Sequence, residues 1–240
     1  MKKVLIVFSL VLLSFDFLGS GLKRVDYEGF TVWLNCQENG AEMFYYKAVF
    51  DSANEKKPSG FSFDSRYRDC QQTSTDTYQS SPEKYDRGHM VPANHLDYSK
   101  TSIKQSMKMT NILPHARKMN QRGGAWRYTE DLIECYRDVE PLDVWGGVIW
   151  GSDVTNDHFI SSHGVRTPDL LWKVVVGRTK FSAWIIPNKN SSLDDNIEDY
   201  YKTIEEIERR SGRTVPVNGD IKGLFPRNEI RIPKVSCSIK

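Results

Sequence analysis

Asp86-Arg87-Gly88-His89-Met90-Val91-Pro92 opens the stretch whose charge and chemistry set it apart from the rest of the chain. Side chains alternate along an extended strand, so Arg87 and His89 would face the same way. That places a planar cationic fork beside the side chain that takes a proton most readily near neutral pH. Just downstream, Tyr98 to Thr129 contains no Asp or Glu, yet it holds Lys100, Lys104, Lys108, Arg117, Lys118, Arg122 and Arg127. The whole chain balances 33 Lys and Arg against 31 Asp and Glu, so this segregation is local. It predicts an electropositive zone suited to phosphate, with a merely solvated basic face as the plain alternative.

Outward from this stretch, the chain reads as globular. Of its 240 residues 39% are hydrophobic and 27% charged, which supports a real core and excludes a disordered, fibrous or coiled-coil protein. Phe30–Leu34 and Met43–Phe50, separated by Glu38-Asn39-Gly40, read as a hairpin. Val144–Trp150, Leu171–Val176 and Phe181–Ile186 are apolar enough for central strands, and Ser52–Ser81 is a polar loop. A helix is expected from about Asn120 to Tyr136, with Trp126, Ile133 and Tyr136 on one face. A second is expected from an N-cap at Ser192 through Leu193, Ile197, Tyr200, Ile204 and Ile207 to a stop at Gly212. Strands and helices in blocks, without regular alternation, predict an α+β fold: a mixed or antiparallel central sheet flanked by helices, one domain over residues 22–240.

The first residues read differently. Met1-Lys2-Lys3, the apolar run Val4–Leu13 and Gly19-Ser20-Gly21 have the layout of a secretory signal over residues 1–21. The run falls short of the ~20 apolar residues that span a bilayer, and Asp16 stands close behind it, so no membrane anchor is expected. The protein should be secreted or periplasmic. Its four cysteines, Cys36, Cys70, Cys135 and Cys237, form no CxxC pair and in an exported chain read as two disulfides. Three pairings are open. Cys36–Cys70 with Cys135–Cys237 is favoured, one bridge being local and the other tying down the C-terminus.

Cutting a phosphodiester takes an activated water, a divalent cation and cationic donors to the phosphate oxygens. His89 and Arg87 suit the first and last of these. Asn120 can offer an amide oxygen to a hard Mg²⁺, and Glu130 can hold a metal-bound water. Singly, each has a bland reading as a structural His, a helix cap or a surface carboxylate. The ordered set is more specific. Asp86-Arg87-Gly88-His89-Met90-Val91-Pro92-Ala93-Asn94-His95, Thr110-Asn111-Ile112-Leu113-Pro114, Met119-Asn120-Gln121 and Trp126 with Glu130 closely resemble the DNA/RNA non-specific endonucleases. These are the ββα-metal nucleases that include endonuclease G. The likeness continues more weakly through Trp145–Gly151, Ala183–Asn188 and Ile204–Gly212.

The resemblance implies a ββα-metal finger in which His89 is the general base and Arg87 stabilises the developing charge. Asn120 would hold Mg²⁺, or Mn²⁺ or a similar ion in its place, largely through water, with Glu130 on the metal helix. DNA and RNA would be bound through backbone phosphates and left with 5′-phosphate ends, and a homodimer is compatible with this. Asn111 would buttress the site and is grouped on the substrate side with His115, Arg117, Lys118 and Arg122, while Asp86 would position the strand end. Three departures stand out: His115 in place of the usual Gln, Thr129 in place of the usual Leu, and a longer spacing from Asn120 to Trp126. The spacing leaves Glu134, one turn beyond Glu130, open as the carboxylate. Arg66 and Arg68 both remain candidates for a further family Arg upstream. His95 is open between a structural and a substrate-side role, and His158 and His163 with Asp153 and Asp157 are a weak candidate for a second metal site. Two rival readings are a non-catalytic nucleic-acid-binding or uptake protein on the same fold, and a zinc phosphoesterase using His89, His95 and His115.

Overall fold

The computed structural model describes residues 21–230 apart from 51, 80 and 227–229. The proposed signal segment up to residue 20, and Cys237, lie outside the described residues. Its strands are β1 (Leu22–Tyr27), β2 (Phe30–Asn35), β3 (Gly40–Ala48), β4 (Tyr85–His89), β5 (Ile112–Ala116), β6 (Leu142–Ile149), β7 (Leu170–Val176) and β8 (Phe181–Pro187). Six of them form an antiparallel sheet in the order β1-β2-β3-β6-β7-β8, and β4 and β5 pair separately. The α-helices are α1 (Lys100–Ser106), α2 (Arg117–Asn120), α3 (Ala125–Tyr136), α4 (Ile160–His163) and α5 (Ile204–Ser211). The chain leaves the sheet after β3 and returns beside it as β6, so β4, β5 and α1 to α3 form one excursion between neighbouring strands. The α+β class and the antiparallel sheet agree with the sequence reading.

Both faces of the sheet are covered. Val32, Leu34, Phe44, Tyr46, Val144, Val148, Leu171, Val175, Trp184 and Ile186 pack with Trp126, Leu132 and Ile133 of α3. The alternate residues Trp33, Met43, Trp172, Val174, Ala183 and Ile185 pack with Ile204 and Ile207 of α5. Such two-sided burial explains why β7 and β8 read as nearly continuous apolar runs. The expected hairpin is β2–β3, and Asn39 takes the left-handed conformation its turn requires, φ 55°. The disulfide Cys36–Cys70 ties this turn to a 3₁₀ turn at Ser65–Cys70, as expected. Cys135 is buried in α3, and the partner expected for it, Cys237, lies outside the described residues. Among the described residues no helix is long and apolar enough to cross a membrane.

Two expectations need correction, and one strand went unread. The strand β1 was not foreseen, because Lys23, Arg24 and Asp26 break its apolar pattern; it is an edge strand, where exposed charges are tolerated. The helix expected from Asn120 to Tyr136 is two helices, with Asn120 ending α2 and α3 starting five residues later. Gly123 (φ 85°) and Gly124 make the break, and a Cβ at Gly124 would sit 2.1–2.2 Å from the carbonyl oxygens of Lys118 and Met119. The helix expected from Ser192 is a 3₁₀ turn at Asp194–Tyr200 followed by α5, whose N-cap is Thr203. Ser192 instead bonds the Pro187 carbonyl, and Tyr201 interrupts the helix by stacking on Trp184. Gly212 does end α5, at φ 67°.

Candidate active site

A polar pocket of about 420 Å³ opens where β4, α2, α3 and the loop before β4 meet. Arg87 and His89, two residues apart on β4, both line it, as strand alternation requires. Asn120 enters from the end of α2 and Glu130 from the second turn of α3. Lys57 and Phe61 close the remaining side.

Each of these groups is held. The half-buried His89 ring lies with Nε2 3.4 Å from Met107 Sδ and its centroid 5.6 Å from that of Phe61. Burial, aided by the nearby positive charge of Lys57, keeps its pKa well below the ordinary value of 6.5. The ring is therefore neutral at neutral pH and free to accept a proton. Arg87 donates from Nη1 to the Thr75 carbonyl, 2.6 Å, and its guanidinium lies 4.5 Å over Phe61. The Asn120 amide is gripped from two sides, its Oδ1 3.1 Å from His115 Nδ1 and its Nδ2 donating to Asp86 Oδ2 at 3.3 Å. Burial lowers the His115 pKa to about 4, so with Nδ1 carrying the proton the neutral ring donates to the amide oxygen. Gly88 makes this possible, since a Cβ there would lie 2.0 Å from His115 Cγ. Glu130 is 7% exposed; burial raises its pKa, with Lys173 and Arg127 opposing that rise.

The donors converging here are hard oxygens, the Asn120 amide and the Glu130 carboxylate, and β4, β5 and the following helices supply them in ββα order. A family model described as DNA/RNA non-specific endonuclease matches residues 10–219. The chain belongs to the DNA/RNA non-specific endonucleases. It is similar to the mitochondrial nuclease EXOG of Xenopus laevis, 28% identical over 141 residues, 52% of this chain and 39% of that protein. It is likewise similar to mitochondrial endonuclease G of Bos taurus, 25% identical over 141 residues, 53% of this chain and 46% of that protein. These matches thus span less than half the length of either relative. Its fold is shared by a chain in a crystal structure of the EndoG/EndoGI complex, with TM-score 0.59 and 18% identity over 82% of this chain and 88% of that one.

In this member of the DNA/RNA non-specific endonuclease family, the pocket separates the candidate residues. His89, Arg87, Asn120 and Glu130 come together. Glu134 does not join them: it is bound by Asn94 Nδ2 (3.2 Å) and Arg137 Nη2 (2.9 Å), with His95 Nε2 at 3.3 Å, and it is absent from the pocket lining. Asn111 is fully buried, accepting from Val91 N and donating to the Val91 and Ser106 carbonyls, so it braces the loop and cannot touch substrate. His115, also fully buried, steadies Asn120 and is removed from the substrate side. Arg117 pairs with Asp86 at 2.9 Å and lines an adjoining groove with Lys84 and Arg87. Lys118 and Arg122 are exposed but line neither groove. Arg66 is bound to Asp64 at 2.6 Å and, like Arg68, is absent from the pocket lining.

The cation that does come from upstream is Lys57, which the sequence reading missed along with Phe61. Their loop is fastened by Glu55 N to Asp97 O (2.9 Å) and by Ser62 N to Met107 O (3.1 Å). The available signal was an aromatic residue and Lys56-Lys57 in a stretch otherwise dominated by small polar residues. His95 is buried against the Tyr46 hydroxyl, 2.7 Å, and is structural. His163 is buried and bonds the Asp76 carbonyl. Among the described residues no three His, Cys, Asp or Glu side chains gather to hold a metal, which removes the second metal site and the three-histidine zinc site.

Proposed function

We propose that this chain is an exported, sugar-non-specific endonuclease that hydrolyses DNA and RNA to 5′-phosphate ends with a Mg²⁺-type ion. The observation that carries this is the shared pocket of His89 and Asn120, a neutral imidazole and an amide oxygen on separate elements facing one space. A pure nucleic-acid binder has no use for either. The donor chemistry fits a hard divalent ion: Asn120 Oδ1 keeps a second lone pair beyond the one His115 engages, and Glu130 adds a carboxylate. Such an ion supplies charge stabilisation to the phosphate and leaving oxygens.

The chain's own groups do the rest. His89 takes the proton of the attacking water, and the Arg87 fork, fixed by Thr75 and Phe61, neutralises charge building on the phosphoryl oxygens. Lys57 and Arg127 add positive charge around the same space, and Arg117 extends it along the adjoining groove. These contacts suit backbone phosphates and read no base. Export is supported by the Cys36–Cys70 bridge, which persists in oxidising compartments. The test is to give the purified mature chain supercoiled plasmid, linear duplex, single strands and RNA, with and without EDTA. All four should be cut with Mg²⁺, EDTA should abolish cutting, and added salt should slow it steeply. Intact substrates in every Mg²⁺ arm, or tightly held zinc at one per chain, would overturn the proposal.

A further inference from the structure

Lys173 occupies a position that the pattern of its own strand reserves for an apolar side chain. It lies on β7 between Leu171 and Val175 on the sheet face toward α3, and it is fully buried. Removing an ammonium from water is expensive, so a core lysine has to be offset by its surroundings. Here a hydroxyl and a ring face hold it: Nζ donates to Thr129 Oγ1 at 2.7 Å and stands 3.7 Å over the Trp126 ring. Thr129 is fully committed, because the same hydroxyl donates to the Trp126 carbonyl at 2.7 Å.

Both contacts fall on α3 within the turn that ends at Glu130. A helix advances about 100° per residue, so fixing Thr129 and Trp126 against the sheet fixes the direction in which Glu130 points. A turn of one residue in either sense would bring Thr129 or Asp131 round in its place. Thr129 is also one of the three departures from the motif, and its partner on β7 now gives that departure a purpose. We propose that Lys173 is a positioning residue of the metal site: clamped to Thr129 and Trp126, it sets the rotation of α3 and keeps Glu130 facing the pocket opposite Asn120. This rests on the reading of Asn120 and Glu130 as the metal-holding pair.

The experiment uses Mn²⁺ alone as the probe, titrated into the full mature chain at fixed pH and followed by the electron paramagnetic resonance signal of the free ion. Thermal unfolding without metal is measured alongside. Lys173→Met should melt at or above the wild-type temperature, because an apolar side chain of similar length replaces a buried charge. The same variant should bind Mn²⁺ about tenfold to a hundredfold more weakly. Thr129→Val should weaken Mn²⁺ binding in the same direction, and Thr129→Ser, which keeps the hydroxyl, should restore it. A lysine that served packing alone would show the reverse for Lys173→Met, a lowered melting temperature with Mn²⁺ affinity unchanged, and that result overturns the proposal. Should Lys173→Met fail to fold, wild-type Mn²⁺ affinity in Thr129→Val overturns it equally. An Asn120→Ala control separates the two levels: if it binds Mn²⁺ as well as wild type, the metal-site reading falls and this proposal with it.

Discussion

In the six-stranded sheet, most buried positions on both faces are filled by apolar side chains such as Val32, Phe44, Trp172 and Ile186, with Lys173 a charged exception. Around β4 and β5 many buried positions are polar, and each is fixed by directed bonds. Asn111 spans Val91 and Ser106, His115 holds Asn120, and Asn188 accepts from Ala116 N while donating to the Pro114 and Pro168 carbonyls. Apolar packing is graded, and loss of a methylene is felt in proportion. A buried hydrogen-bond network is closer to all-or-none, because each lost partner strands another polar group. The sheet supplies stability that can be trimmed, and the excursion between β3 and β6 supplies geometry that cannot.

Variants should respect that division. The largest effect is expected from His89→Ala, which should slow plasmid cleavage roughly a hundredfold to ten-thousandfold with little change in melting temperature. Cutting at the wild-type rate would place the base elsewhere. Next, the neighbouring carboxylates should part company. Glu134→Ala removes the carboxylate 2.9 Å from buried Arg137 and should cost about 3 kcal/mol or more of stability in denaturant unfolding. Glu130→Gln should leave stability nearly intact and slow cleavage on the order of tenfold to a hundredfold. Equal effects of the two would break the comparison.

On the sheet side, Ile186→Ala should cost ~2–5 kcal/mol while specific activity of the folded protein is unchanged. Acid tests the polar side. Burial depresses the His115 pKa from 6.5 to about 4, so folding releases a proton that the unfolded chain would bind. That contribution is complete above pH 6.5 and is lost as pH falls toward about 4, on the order of 3 kcal/mol in all. Denaturant midpoints measured across this window should fall, and His115→Gln should flatten the slope.

The same division explains what the sequence made legible. Two-sided apolar runs announced β6, β7 and β8, and the order of Arg87, His89, Asn120 and Glu130 announced the pocket. Helix boundaries were misread where one contact outweighed periodicity: Gly124 against the Met119 carbonyl, and Tyr201 against Trp184. Glu130 and Glu134 lie on nearly the same helix face, so periodicity alone could not rank them; the packing of α3 against the sheet did. Lys57 and Phe61 reach the site from a loop with no period to read, held by backbone bonds that leave no trace in side-chain identity. Buried Lys173 could not be foreseen at all, because its partners lie some forty residues away on another element.

Gly88 bears on all of this through what it lacks. The strand crosses directly above the His115 ring, and a Cβ would fall within about 2 Å of two ring atoms. A single methyl group introduced there would leave His89 and Arg87 chemically untouched. It would jam into the imidazole below, tilt it away from Asn120, and unseat that amide. The clearance between β4 and the layer beneath it is thus a tolerance of the machine, set by one missing carbon.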